Sequence, residues 1–220
     1  MLTLKRYLRE PVNSISHFAG ILLSLAGLIV LMLSSAGEPW RLTSFAIYGV
    51  SSVLLYTSST LLHSLKVEAQ AERWLLRLDH AAIFILISGS YTPITLITLR
   101  EHSPAWGWSL FGTAWGISVL GIIFKLVWLD APRWLSTGLY LLMGWLAVVA
   151  SGPLIQALPA GGLAWMVVGG LFYSVGAVVF ILERPNFYPG VLGHHELWHF
   201  LVLAGSISYF LTLFFYVLPA

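Results

Sequence analysis

Seven stretches of about twenty mostly apolar residues leave this chain few folds, because that is the length and composition a helix needs to cross a bilayer. They run from about Ile15 to Ser35, Leu42 to His63, Asp79 to Leu99, Trp106 to Val127, Trp134 to Leu154, Leu163 to Leu182 and Glu196 to Leu218. Pro39, Pro104, Pro132, Pro159 and Pro185 mark their ends. Only 9% of the 220 residues are charged, against about 25% in soluble domains, so these runs are not the core of a water-soluble fold. The expected fold is all-α: a polytopic membrane protein whose residues 1–220 form a single seven-helix transmembrane domain. Short connections make consecutive helices antiparallel neighbours.

Lysine and arginine set the expected orientation. With the N-terminus in the cytoplasm, nine fall on that side (Lys5, Arg6, Arg9, Lys66, Arg73, Arg77, Lys125, Arg133 and Arg184) and two, Arg41 and Arg100, on the other. Trp40, Trp74, Trp106, Trp134 and Trp198 stand near span ends, where interfacial anchors belong. The basic start lacks a short apolar region with a small-residue cleavage site before the first span, so it reads as mature sequence. The chain has no cysteine, which excludes disulfides and thiolate ligands. A net charge of +2 without a long basic run gives no reason to expect nucleic acid; membrane lipid is the expected partner. Within the spans, Gly112 and Gly116 form a GxxxG pattern that permits close helix contact, and Pro93 should kink the third helix.

The last span opens on Gly193-His194-His195-Glu196-Leu197-Trp198-His199. A helix turns about 100° per residue, so His195 and His199 share a face one turn apart and can share one metal ion, whereas His194 points elsewhere. The string also reads H-E-x-x-H, a zinc-protease pattern with Glu196 as general base. That pattern needs another ligand, and no His, Asp or Glu follows His199, so any further ligand lies upstream. The alternative is a pair of interfacial histidines with no metal.

Ionisable groups inside a membrane are costly and usually functional. The topology puts His17, His63, Asp79, His80, His195 and His199 at one end of the bundle and, of the seven histidines, only His102 at the other. His63 could complete a three-imidazole site or sit among headgroups. Asp79, expected in the first helical turn, could hold and deprotonate the water of a metal site, or merely face the helix dipole or pair with Arg77. His80 is rotated away from it. Glu10, Asn13 and His17 fall on one helical face and are expected to line or support the mouth of the bundle. Three imidazoles leave one position of a tetrahedral zinc open, as in catalytic sites, and imidazole favours Zn²⁺ over magnesium or calcium.

Five ordered segments carry a resemblance over nearly the whole chain: Glu10-Pro11-Val12-Asn13-Ser14-Ile15-Ser16-His17, Ser59-Thr60-Leu61-Leu62-His63, Leu78-Asp79-His80-Ala81-Ala82-Ile83-Phe84, Gly89-Ser90-Tyr91-Thr92-Pro93 and His195-Glu196-Leu197-Trp198-His199. Together they resemble the bacterial hemolysin III family, which belongs with the progestin and adiponectin receptors; the alkaline ceramidases also resemble these. The resemblance implies a seven-helix protein of the bacterial inner membrane with zinc near the cytoplasmic side. It implies His63, His195 and His199 as ligands, with Asp79 and Ser59 close to the zinc-bound water. The family pattern does not fix a residue at Glu196, which weighs against the protease reading.

Two functions are expected first: a zinc-dependent intramembrane hydrolase of a lipid amide or ester, ceramidase-like, with Asp79 as base, or a membrane-lipid homeostasis factor. The alternatives are a lipid-sensing, receptor-like regulator whose zinc is not catalytic, and a cytolysin. Against a pore, the spans carry almost no charge away from one end.

Overall fold

Each of the seven apolar runs is a helix in the computed structural model, which describes residues 6–188 and 191–219; Lys5 of the charge count and Ala220 lie outside them. The helices are α1 (Pro11–Ser34), α2 (Pro39–Ser64), α3 (Ala69–His102), α4 (Pro104–Val127), α5 (Arg133–Ala157), α6 (Ala160–Leu182) and α7 (His194–Val217), all long and apolar enough to cross a membrane. The chain is a multi-pass membrane protein. Among the described residues the one β-pairing is an isolated bridge between Tyr188 and Leu192. Proline opens α1, α2 and α4, where its missing N–H costs nothing and its fixed φ suits the first turn.

Neighbours in sequence are neighbours in space from α1 to α4 and again for α6 and α7, and α7 closes back on α1. The most buried span is α3, which touches α2, α4 and α5. Expectation and structure differ at its start. It begins at Ala69, not near Asp79, because Glu72, Arg73 and Arg77 make its first turns too polar for a hydropathy window but suit a helix emerging into headgroups. Asp79 is therefore about 15 Å into the helix rather than at its dipole end. The α2–α3 connection is only residues 65–68, extended at Leu65 and Glu68. Four extended residues climb about 13 Å. The chain thus leaves α2 just past His63, rises, and descends through α3 to reach the same depth at Asp79.

Pro93 does disturb α3, by a change of winding. It lacks the N–H that would bond Gly89, and residues Ile94–Leu99 continue as a π-helix. The Thr92 and Thr95 hydroxyls donate to the Ser88 and Tyr91 carbonyls at 2.9 and 2.8 Å, which keeps backbone acceptors beside the break satisfied away from water. The Tyr91 hydroxyl does the same for α5, meeting the Gly144 carbonyl and the Ala147 N–H, both at 2.8 Å, where α5 tightens to 3₁₀ winding over Trp145–Ala150.

The GxxxG pattern is not where helices meet. A Cβ built on Gly112 or Gly116 would touch nothing within 4 Å, so both glycines face outward. The close approaches in α4 are at Gly121, against the Phe84 ring of α3, and at Gly107, whose Cβ would come within 2.7 Å of the Thr95 carbonyl oxygen and the Arg100 nitrogen, in and just past the π-wound part of α3.

Candidate metal centre

The starts of α1 and α7 and the end of α2 meet at one end of the bundle, and their histidines His17, His63, His195 and His199 converge there. The ring centroids of His63, His195 and His199 form a nearly equilateral triangle with sides of 5.1, 4.8 and 4.9 Å. One ring nitrogen from each lies within 4.8 Å of the others, with His63 and His199 buried and His195 half-buried. Each position has a local cause. His63 is in the last turn of α2, and His195 and His199 fill successive turns of α7, four residues apart on its inward face.

These residues fit a metal ion. Nitrogens around a tetrahedral zinc at about 2.1 Å stand roughly 3.4 Å apart, a contraction that small ring rotations achieve. The His63 ring is already committed at one nitrogen. Its Nδ1 is 2.7 Å from Glu10 Oε2, and since a carboxylate only accepts, Nδ1–H donates and Nε2 keeps a free lone pair. Nδ1 of His199 is buried with no hydrogen-bond partner, as suits a group left for something other than protein. An all-imidazole donor set without thiolate suits zinc or a neighbouring first-row ion better than magnesium or calcium.

Asp79 and Ser59 stand beside this triangle. Ser59 and His63 are among the groups that act on the half-buried Asp79 carboxylate. Ser59 is buried one turn before His63 on α2. Its Oγ is 2.7 Å from Nδ1 of His17, whose ring stacks on His199 at a centroid distance of 3.7 Å. His17 is only 3% exposed and packs edge-on against Tyr56, so α1 contributes to the inside of the site and does not merely line a mouth.

Glu10 is the residue that sequence reasoning placed loosely. Its Oε2 accepts from His63 and, at 2.8 Å, from Asn13 Nδ2, while Oε1 is 3.3 Å from Arg9. Burial alone would raise its pKa, but the bond and charge of His63 and the Asn13 amide outweigh this and hold the carboxyl at about 2. The spacing of Glu10, Asn13 and His17 signalled one face; what that face met was a matter of tertiary packing.

Glu196 and His194 are engaged elsewhere. Glu196 Oε2 accepts the Gly193 N–H at 2.8 Å, half of a capping box whose glycine N-cap has no side chain to reciprocate. His194 is held by Asn186 Oδ1, which accepts from its backbone N–H at 3.0 Å. The His80 carbonyl accepts the Tyr140 hydroxyl on α5 at 3.1 Å, and Nδ1 of the His80 ring is buried without a hydrogen-bond partner.

Sequence comparison agrees with this architecture. The family model described as "Haemolysin-III related" matches residues 5–210. The chain is 40% identical over 222 residues to "Hemolysin-3" of Bacillus cereus, an alignment covering 100% of this chain and 97% of that one. It is 39% identical over 218 residues to "Hemolysin-3 homolog" of Bacillus subtilis (strain 168), covering 98% and 96%. More distantly, it is 28% identical over 192 residues to "Heptahelical transmembrane protein ADIPOR2" of Oryza sativa subsp. japonica, covering 79% and 80%.

Proposed function

The chain belongs to the haemolysin-III-related family, and from its histidine triangle we propose that it is a zinc-dependent intramembrane hydrolase acting on an amide or ester bond of a membrane lipid. The observation that carries this reading is the convergence of three imidazoles from two helices with a carboxylate and a hydroxyl beside them. Three protein ligands are the number found in hydrolytic zinc sites, where a fourth position stays open.

His63, His195 and His199 would hold the metal. Bound there, zinc would supply a Lewis acid for a carbonyl oxygen and lower the pKa of a coordinated water to about 7. Asp79 is the base: it takes a proton from the attacking water and returns it to the leaving amine or alcohol. Ser59 holds the Asp79 carboxylate in place, and His17 fixes Ser59. The bundle around them, with Tyr56, Leu62 and Val202 buried close by in sequence, limits water to the end of the site. The charge bias of the sequence supports a cytoplasmic position for this end, with the N-terminus inside, and the family resemblance supports the bacterial inner membrane as its location.

The test is hydrolysis by the purified protein in lipid vesicles containing a ceramide-like amide. Wild type should release fatty acid, and Asp79→Asn should lose roughly 10²–10⁴-fold in rate while keeping most of its metal. No release from any lipid amide or ester by metal-loaded protein would leave the second reading, a regulator with non-catalytic zinc. The names of the two Bacillus relatives favour one further activity, membrane lysis. Lipid breakdown would itself damage a membrane, so leakage of vesicles made only of non-hydrolysable ether lipids separates a cytolysin from a hydrolase.

A further inference from the structure

We propose that Glu10 is the positioning residue of the metal centre, gripping His63 at both its backbone and its ring so that Nε2 is presented to the ion. The proposal rests on the reading of the histidine triangle as a metal site, and it assigns a role that the ligand set alone does not include.

The grip has two points. Glu10 stands just before α1, and its backbone N–H donates to the His63 carbonyl at 2.9 Å, while the Arg9 N–H donates to the Ser64 carbonyl at 3.2 Å. Both carbonyls belong to the last turn of α2, which has no further helical N–H to meet them. The segment before α1 therefore caps α2 and fixes the backbone of His63. From the same residue, the carboxylate takes the Nδ1–H of His63 at 2.7 Å. That single bond decides the tautomer, sets the ring plane and makes Nε2 the ligand atom.

The carboxylate is itself held. Asn13, one turn on, donates to the same oxygen at 2.8 Å. Arg9 bonds the other oxygen and pairs with Glu72 of α3 at 2.6 Å, tying α1, α2 and α3 together above the site. His63 is 4% exposed, so in a low-dielectric setting an unpaired Nδ1–H would cost more than at a surface. A carboxylate behind a ligating imidazole also raises the basicity of the nitrogen facing the metal. No carboxylate stands behind either α7 ligand among the hydrogen bonds of the described residues; His199 has a backbone bond with Asn13 instead.

Metal affinity and cobalt spectra of the full chain test this, independently of turnover. Wild type, Glu10→Ala, Glu10→Gln and Glu72→Gln would be purified, stripped of metal and titrated with Co²⁺, then with Zn²⁺ against a competing chelator. Glu10→Ala should bind both ions about 10–100-fold more weakly, with a shifted cobalt d–d band. Glu10→Gln keeps an oxygen to accept Nδ1–H but not the charge, so it should recover part of the affinity and most of the band. Glu72→Gln loosens the Arg9 tie without touching His63 and should match wild type. Wild-type affinity and spectrum in Glu10→Ala would overturn the proposal while leaving the metal site intact. An equal loss in Glu72→Gln would also overturn it, reducing Glu10 to general docking of α1. Failure of wild type to bind either ion would overturn the metal site itself, and the proposal with it.

Discussion

Replacing Glu196 separates a lipid hydrolase built on three histidines from a protease built on the H-E-x-x-H string. In the structure Glu196 is spent on the helix start: its Oε2 accepts the Gly193 N–H at 2.8 Å. Glu196→Gln keeps an acceptor there and loses one negative charge near a helix N-terminus, a cost of about 0.5–1 kcal/mol. Glu196→Ala loses the bond too, and about 2 kcal/mol is the upper end for a lost N-terminal cap. His195 and His199 lie in the first two turns of the same helix, so at worst the whole cost is drawn from metal binding. At about 1.4 kcal/mol per factor of ten, Glu196→Gln should weaken metal affinity no more than about fivefold and Glu196→Ala no more than about thirtyfold. Hydrolysis at saturating metal should fall less than tenfold in either. Competitive zinc titration and lipid-amide turnover measure both quantities. A loss of 10² or more in turnover for Glu196→Gln at full metal loading, the scale for removing a general acid–base, would refute the reasoning and restore Glu196 as the base.

Three further outcomes are expected. Gly107→Ala should lower thermal stability in detergent by the equivalent of about 1–3 kcal/mol, because its Cβ would strike the backbone of α3, whereas Gly112→Ala and Gly116→Ala should be neutral or slightly stabilising; equal effects at all three would contradict the packing described. A reporter active only outside the cytoplasm should signal when fused after Ala220 and stay silent when placed in the α2–α3 connection near Glu68, and the reverse would overturn the orientation drawn from the charge bias. Tyr91→Phe should destabilise the protein by about 1–3 kcal/mol, read as a fall in melting temperature, since it leaves the Gly144 carbonyl and the Ala147 N–H at the break in α5 without their partner; an unchanged melting temperature would count against that role.

Much of the fold was legible because a bilayer imposes one length and one composition on every span, and the seven apolar runs meet both. The adjacency of His195 and His199 followed from helical period alone; antiparallel connectivity put His63 at the same end of the bundle, and the family resemblance implied that it joins them. Other features were not legible, for identifiable reasons. Hydropathy cannot see a helix whose first turns are charged, so α3 seemed to begin ten residues late and its connection to α2 seemed long. Gly112 and Gly116 matched a packing pattern, but only the rotation of α4 against its neighbours decides that Gly107 and Gly121 make the contacts. Glu10 and His17 were visible as one face of α1. Their bonds to His63 and Ser59 span 53 and 42 positions of sequence and depend on how α1 is docked. Glu196 illustrates the opposite problem: a string that matches a catalytic motif while its side chain caps the helix that displays it.

Both the hydrolase and the Glu10 grip depend on whether three histidines from two helices hold one ion. The direct measurement is elemental analysis of metal per chain in four purified proteins, wild type, His63→Ala, His195→Ala and His199→Ala, after dialysis against a weak chelator. Wild type should retain about one zinc per chain and each alanine variant close to none, with the seven-helix circular dichroism signal preserved in all four. Full zinc in His63→Ala would remove α2 from the site, and wild type without metal would mean that the three histidines form no metal centre.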